Sequence, residues 1–64
     1  MQQSQIMCKE PSDIRYGNKR VAGLQAGKYA QYWCYDSFTL VGSARITCLG
    51  TGKWSASPPK CQGM

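Results

Sequence analysis

The residues of this 64-residue chain with the most informative chemistry are its four cysteines. They are Cys8, Cys34, Cys48 and Cys61, and 25, 13 and 12 residues lie between successive members. Zinc sites usually take their ligands from close pairs such as C-x2-C, often with histidine. This chain has no close cysteine pair and no histidine. The cysteines therefore predict two disulfides and no metal site, in an oxidising extracellular or secretory compartment.

The spacing of the cysteines leaves all three possible pairings open. A chain of 64 residues is near the lower limit at which a hydrophobic core alone holds a fold. In the chain-entropy model, a bridge that closes a loop of about 25 to 40 residues contributes roughly 3.5 to 4 kcal/mol. We therefore expect one small domain that does not fold without its disulfides.

Catalysis is not predicted. The chain has no histidine, and no cysteine is free to act as a nucleophile once all four are bridged. Its three acidic residues, Glu10, Asp13 and Asp36, are better explained as surface and turn residues than as a catalytic pair. We expect the protein not to be an enzyme and to need no cofactor.

The net charge of +5, from eight basic and three acidic residues, suggests polyanionic partners. Outside the cell these would be an acidic protein surface or a sulfated glycan, and the alternative is that the charge only keeps the domain soluble. The basic residues are spread along the chain, so no nucleic-acid partner is predicted. No apolar run approaches 18 residues, so membrane insertion by this segment is not predicted either.

Short β segments, rather than helices, are predicted to position these residues. Seven glycines and three prolines interrupt the chain, and no long window has helical spacing of apolar residues. The β-rich runs are residues 10–17, 28–34, 38–42 and 43–48, with turns at 35–37 and 50–54 and an extended tail at 55–61. Residues 18–27 show no clear alternation and are predicted to be an exposed loop or irregular edge. The expected fold is an all-β module of about five short strands.

Residues 28–34 are divided by strand alternation, because successive side chains point to opposite faces. If Cys34 is bridged in the core, Ala30 and Tyr32 share its inward face. Tyr29 and Trp33 then point outward, together with Gln31. The same rule predicts that Phe38 and Leu40 form a core pair and that Ile46 and Cys48 point inward.

The outward rings of Tyr29 and Trp33 are candidates for partner binding, because exposed aromatics beside cations are enriched in interface hot spots. The alternative is that they pack under residues 18–27 or against a neighbouring module. Tyr35 belongs to the same patch only if the turn directs it there.

The predicted loop supplies a second candidate, a site for an acidic or polyanionic partner. Lys19 and Arg20 lie at its start and Lys28 follows its end, and projecting loops often carry binding residues. The alternative is an ordinary solvated loop. Arg45, Lys53 and Lys60 are interpreted as ordinary surface charge.

The order of residues between Cys8 and Cys61 resembles the sushi domain, also called the complement control protein module or short consensus repeat. The resemblance rests on the four cysteines and on Pro11, Gly17, Gly27, Ala30, Tyr32, Phe38, Leu40, Gly42, Ile46, Gly52, Trp54, Pro58 and Pro59. It covers essentially the whole of residues 8–61.

The resemblance implies what spacing leaves open, a first-to-third and second-to-fourth pairing of the cysteines. The bridges would be Cys8–Cys48 and Cys34–Cys61, one near each end of an elongated module, with Trp54 against a disulfide. Ser37 stands where the family usually has glycine. The conformation of the turn at residues 35–37 is therefore in question.

The family resemblance also implies a function, which is non-catalytic protein–protein recognition outside the cell. The parent would be a secreted or cell-surface multi-module protein of the complement-regulator or immune-receptor type. The alternatives are a module of an adhesion or neuronal-receptor ectodomain that binds a cell-surface or matrix partner, and a spacer without a ligand. Residues 8–61 would form the module, and residues 1–7 and 62–64 would be linkers to neighbouring modules. The polar opening MQQSQIM is consistent with a module excised from such a parent.

Overall fold

The computed structural model describes residues 6–63, which form an elongated all-β module with a cross-section of 15 × 13 Å. Its strands are β1 (Gly17–Val21), β2 (Tyr29–Cys34), β3 (Thr39–Val41), β4 (Arg45–Thr47) and β5 (Lys60–Gln62). They form two antiparallel sheets, one in the order β1-β2-β4 and the other pairing β3 with β5. No helix occurs in this part of the chain, so none could cross a membrane. The predicted fold class is confirmed.

The prediction for residues 18–27 is wrong in its first part. Residues 17–21 form β1, which pairs with β2 along its whole length. The side chains of β1 alternate after all, because Asn18 and Arg20 are exposed whereas Lys19 and Val21 are partly buried. The alternation was hidden in the sequence because an inward position is occupied by lysine, whose aliphatic stem can lie along apolar surface.

Residues 10–17, predicted as a β-rich run, form no strand before Gly17. This segment is held by side chains instead of by a backbone ladder, and its buried Pro11 has no N–H to donate. The Tyr32 hydroxyl donates to the carbonyl oxygen of Ser12 at 2.8 Å, and the Trp54 indole Nε1 donates to that of Lys9 at 2.8 Å. The segment therefore lies at the inward side of the three-stranded sheet.

The core follows the predicted alternation of β2. Ala30, Tyr32 and Ile46 are buried together, while the outward Tyr29 and Trp33 are 36% and 46% exposed. The partly buried side chains that pack around this cluster are Ile14, Val21, Leu40, Trp54 and Ala56. The face assignments for β2 and for the inward Ile46 are confirmed.

Phe38 does not join Leu40 in the core as predicted. It lies before β3, in a position where the preceding turn rather than strand alternation sets its direction. Its ring stacks on Tyr16 with the ring centroids 4.5 Å apart, and it covers Gly63 near the end of the described chain. This stack is a small apolar cluster separate from the main core.

Two disulfides join Cys8 to Cys48 and Cys34 to Cys61, which is the pairing that the resemblance implies. The second bridge explains a requirement for glycine at position 17. A Cβ atom there would lie 2.4 Å from the carbonyl oxygen of Trp33 and 2.9 Å from the sulfur of Cys61. Both distances are too short for any side chain, so β1 can approach the bridge only through glycine.

Ser37, which replaces the usual glycine, has a φ of 75°. This left-handed conformation costs a residue with a Cβ about 1 to 2 kcal/mol, whereas glycine adopts it freely. We expect Ser37→Gly to raise the free energy of unfolding by about 0.5 to 1 kcal/mol, because part of the relief is lost to the freer unfolded chain. Chemical denaturation of the two proteins measures the difference.

Ser43→Gly is the matched control, because Ser43 is also exposed but does not have a positive φ. Glycine there should lower the stability by a similar amount. Equal destabilisation by both substitutions would show that Ser37 carries no backbone strain.

Candidate recognition surface

The outward side of the three-stranded sheet carries the candidate surface. Exposed and buried side chains alternate along its strands, and the strand register brings the exposed ones onto one side. We call this side the aromatic–arginine face, and its members are Asn18, Arg20, Tyr29, Gln31, Trp33 and Arg45.

A row of three polar residues crosses the middle of this face. Gln31 on the central strand β2 pairs with Arg20 on one side and with Arg45 on the other. Directly opposed residues of antiparallel strands project to the same side. Neighbouring strands lie about 4.8 Å apart, so the Cα atoms of the two arginines are roughly 10 Å apart. Two cations therefore flank one uncharged amide.

The two rings of the face lie on either side of this row. Along β2, Trp33 and Tyr29 are each two residues from Gln31, so the three side chains share one face. Trp33 is opposite Asn18 on β1, and Tyr29 is opposite Thr47 on β4. Both rings stay exposed, which rules out the alternative that they pack under residues 18–27.

Arg45 is a member of this face that sequence reasoning missed. Its guanidinium carbon lies 4.4 Å from the centre of the Tyr29 ring, in a cation–π contact. Alternation about the buried Ile46 already indicated that Arg45 points outward. The contact itself depends on the pairing of β2 with β4, which local sequence does not reveal.

Lys19 lies on the opposite side of the sheet from Arg20. Its side chain is 13% exposed, forms an ion pair with Asp13 and lies 4.0 Å from a carboxylate oxygen of Glu10. The hydrogen bond to Asp13 is the main cause that raises the pKa of Lys19 above its ordinary value. Tyr32 is opposite Lys19 in the strand register, and burial is the main cause that raises its pKa. Lys19 thus fastens residues 10–13 to the inward side.

Lys28 is exposed just before β2, and its aliphatic stem lies against the backbone of Gly23. Its carbonyl oxygen accepts a hydrogen bond from the Cys48 amide at 2.8 Å. The structure therefore does not bring Lys19, Arg20 and Lys28 together into one basic site. Of these three candidates, only Arg20 lies on the aromatic–arginine face.

Among residues 6–63, no carboxylate pairs with either arginine of this face. All three acidic residues of the chain lie outside the strands. Glu10 and Asp13 lie beside Lys19, and Asp36 lies in the turn after β2. Among residues 6–63, no hydrogen bond or ion pair uses the guanidinium of Arg20 or Arg45. Within the same range, no group of three potential ligands could hold a metal ion.

A concave region separate from the aromatic–arginine face lies beside the Tyr16–Phe38 stack. It is lined by Ser37, Phe38, Thr39 and Gly63. It is largely apolar and contains no charged side chain. Tyr35, which is 55% exposed, follows β2 and is tied to Tyr16 by a backbone hydrogen bond of 2.8 Å. The lining of this region therefore offers apolar contact, while the charged side chains of Arg15 and Lys60 line a neighbouring recess beside Tyr16 and Cys61.

Comparison with known proteins gives a consistent result. The family model described as the sushi repeat (SCR repeat) matches residues 8–61. "Sushi, von Willebrand factor type A, EGF and pentraxin domain-containing protein 1" of Mus musculus is 37% identical over 59 residues, which are 92% of this chain and 2% of that protein.

Two further relatives are a protein named as a complement receptor and one named as a membrane cofactor protein. Complement receptor type 2 of Mus musculus is 34% identical over 65 residues, covering 97% of this chain and 6% of the receptor. Membrane cofactor protein of Bos taurus is 32% identical over 65 residues, covering 89% of this chain and 18% of that protein. The chain therefore spans less than a fifth of the length of each of these three relatives.

Proposed function

Since this chain belongs to the sushi-repeat family of extracellular modules, we propose that it is a non-catalytic protein-recognition module of a multi-module complement regulator or immune-type receptor. Its relatives include proteins named as a complement receptor and as a membrane cofactor protein. The small share of each relative that it covers agrees with a repeat that works among neighbouring modules.

One observation carries the proposal, the exposure of Tyr29 and Trp33 on a regular sheet. The core is complete without these rings, since Ala30, Tyr32 and Ile46 fill the inward side. Two large rings left at 36% and 46% exposure beside arginines have the composition of an interface hot spot. The apolar region beside Phe38 and Gly63 is suited to contact with an adjacent module instead.

An adhesion or matrix role is the second candidate. The observation that favours it is the relative with von Willebrand factor type A and pentraxin domains, whose name contains no reference to complement. A module that only separates its neighbours is the third interpretation. It would not explain why Tyr29 and Trp33 are exposed.

We expect the isolated module to bind a surface on which serum complement has been activated, and not one treated with heat-inactivated serum. Trp33→Ala should weaken this binding about 30-fold, because truncation of a hot-spot tryptophan costs about 2 kcal/mol or more. Surface plasmon resonance measures both. Val41→Ala is the control, because Val41 is equally exposed at 46% but lies on the other sheet.

Equal retention on the activated and inactivated surfaces would remove the complement assignment. Retention on extracellular matrix instead would favour the adhesion role, and retention on neither surface would favour the spacer. If Trp33→Ala and Val41→Ala behaved alike, the aromatic–arginine face would not be the binding site.

A further inference from the structure

We infer that the aromatic–arginine face selects an acidic protein segment, whose carboxylates bind Arg20 and Arg45 while its apolar side chains lie on Trp33 and Tyr29. This inference rests on the proposed recognition function and deepens it, because it names the class of partner and assigns a role to Arg45. It also excludes Lys19 from the site.

The arrangement of the two arginines is the first support. They occupy the ends of one straight row across the sheet, with Gln31 between them. A guanidinium presents a planar set of N–H donors that matches a carboxylate in a bidentate contact. Gln31 adds an uncharged amide that can donate and accept hydrogen bonds at the centre of the row. Because the Cα atoms of the two arginines are roughly 10 Å apart and both side chains are long, two carboxylates of one short segment can meet both.

The charge balance is the second support. The structure pairs Lys19 with Asp13 and Glu10 on the far side of the sheet, so these acids do not neutralise the face. Within residues 6–63, no side-chain hydrogen bond uses the guanidinium N–H groups of Arg20 or Arg45. An anion that binds here therefore displaces no hydrogen-bond or ion-pair partner of either guanidinium within these residues.

The contact of Arg45 with Tyr29 is the third support. The ring holds the guanidinium over its face at 4.4 Å and so restricts the arrangements of a long side chain. A restricted side chain loses less conformational freedom when it binds. Arg45 is thereby positioned before a partner arrives.

A protein segment fits the face better than a sulfated glycan does. The two charges are bounded on both sides by aromatic rings, which offer contact area to apolar side chains. A sulfated chain would be bound by a longer track of cations. The other basic side chains lie outside this face, as Lys28 before β2, Lys53 in a turn and Lys60 on β5 show.

The test uses nitrogen-15-labelled module and a short synthetic peptide in which pairs of glutamates alternate with pairs of leucines, so that each face of its extended form carries both residue types. Its counterpart carries glutamine in place of each glutamate, and a heparin-derived oligosaccharide represents the glycan class. Amide chemical shifts locate each binding site, and their titration gives the Kd. The expected shifts with the acidic peptide are confined to β1, β2 and β4.

The matched variants are R20Q/R45Q and K53Q/K60Q, which remove the same net charge from different places. The first should weaken peptide binding more than tenfold, since each exposed ion pair contributes up to about fivefold. The second should change it less than twofold beyond the general effect of net charge. Unchanged amide spectra of the free variants would show that both remain folded.

Three results would overturn the inference. They are equal binding of the glutamine peptide, equal weakening by K53Q/K60Q, and tighter binding of the oligosaccharide than of the acidic peptide at this face. The proposed function is tested separately on the complement-activated surface. If R20Q/R45Q binds there like the unsubstituted module while Trp33→Ala does not, the recognition function stands and the acidic selectivity fails.

Discussion

Replacement of Cys8 and Cys48 together by alanine is expected to leave the protein unfolded at about 37 °C. The bridge joins residues 40 apart. In the chain-entropy model its loss raises the entropy of the unfolded chain and so lowers the free energy of unfolding by about 4 kcal/mol. Both cysteines are also buried, at 4% and 1% exposure, so their loss removes atoms from the packed interior. A core of this size supplies only about 3 to 5 kcal/mol.

The matched variant replaces Cys34 and Cys61, which are 27 residues apart and only partly buried. Its entropic loss is about 3.5 kcal/mol, and it removes less buried volume, so a partly folded population is expected at low temperature. Far-UV circular dichroism and amide shift dispersion distinguish the two outcomes. Native spectra from the Cys8→Ala/Cys48→Ala variant would contradict the prediction that the domain depends on this bridge.

Tyr32→Ala is expected to lower the free energy of unfolding by about 3 to 5 kcal/mol, which is enough to unfold a module of this size. Its side chain is 2% exposed, so truncation leaves a cavity between β2 and the segment at residues 8–15. Truncation also removes the hydroxyl that donates to the Ser12 carbonyl oxygen. Tyr32→Phe, which keeps the ring, should cost only about 1 kcal/mol. Urea denaturation measures both variants.

Trp33→Ala is the internal control for this prediction, because its larger ring lies one residue further on and faces the other side. We expect it to change the stability by less than about 1 kcal/mol, as for other exposed sites. If Trp33→Ala instead unfolds the protein as Tyr32→Ala does, the ring belongs to the core and the face assignment of β2 is wrong.

Local rules were sufficient for much of the fold. The absence of histidine and of close cysteine pairs pointed to disulfides, and alternation about Cys34 correctly divided β2 into an inward and an outward face. Alternation depends only on the geometry of one strand, so it can be applied without knowing its neighbours. The family resemblance, and not a local rule, identified Ser37 as the residue at a turn that normally uses glycine, and its positive φ is the structural counterpart.

Predictions that needed information from outside one segment were less successful. Residues 18–21 were predicted to belong to an exposed loop or irregular edge because an inward lysine obscured the strand pattern. In the structure Lys19 pairs there with Asp13 and Glu10. Phe38 was predicted for the core because alternation was extended past the first residue of β3 into the preceding turn.

Composition and the period of a single strand were enough to predict the all-β class, the use of the cysteines in disulfides and the two faces of β2. Which charged side chains lie together could be read only from the folded chain. In the folded chain Lys19 lies on the inward side of the sheet. Arg20, Gln31 and Arg45 form one row on the outward side, with the rings of Tyr29 and Trp33 beside it. The physical reason is that strand register joins residues far apart in the chain, such as Tyr29 and Arg45, and no local pattern contains that register.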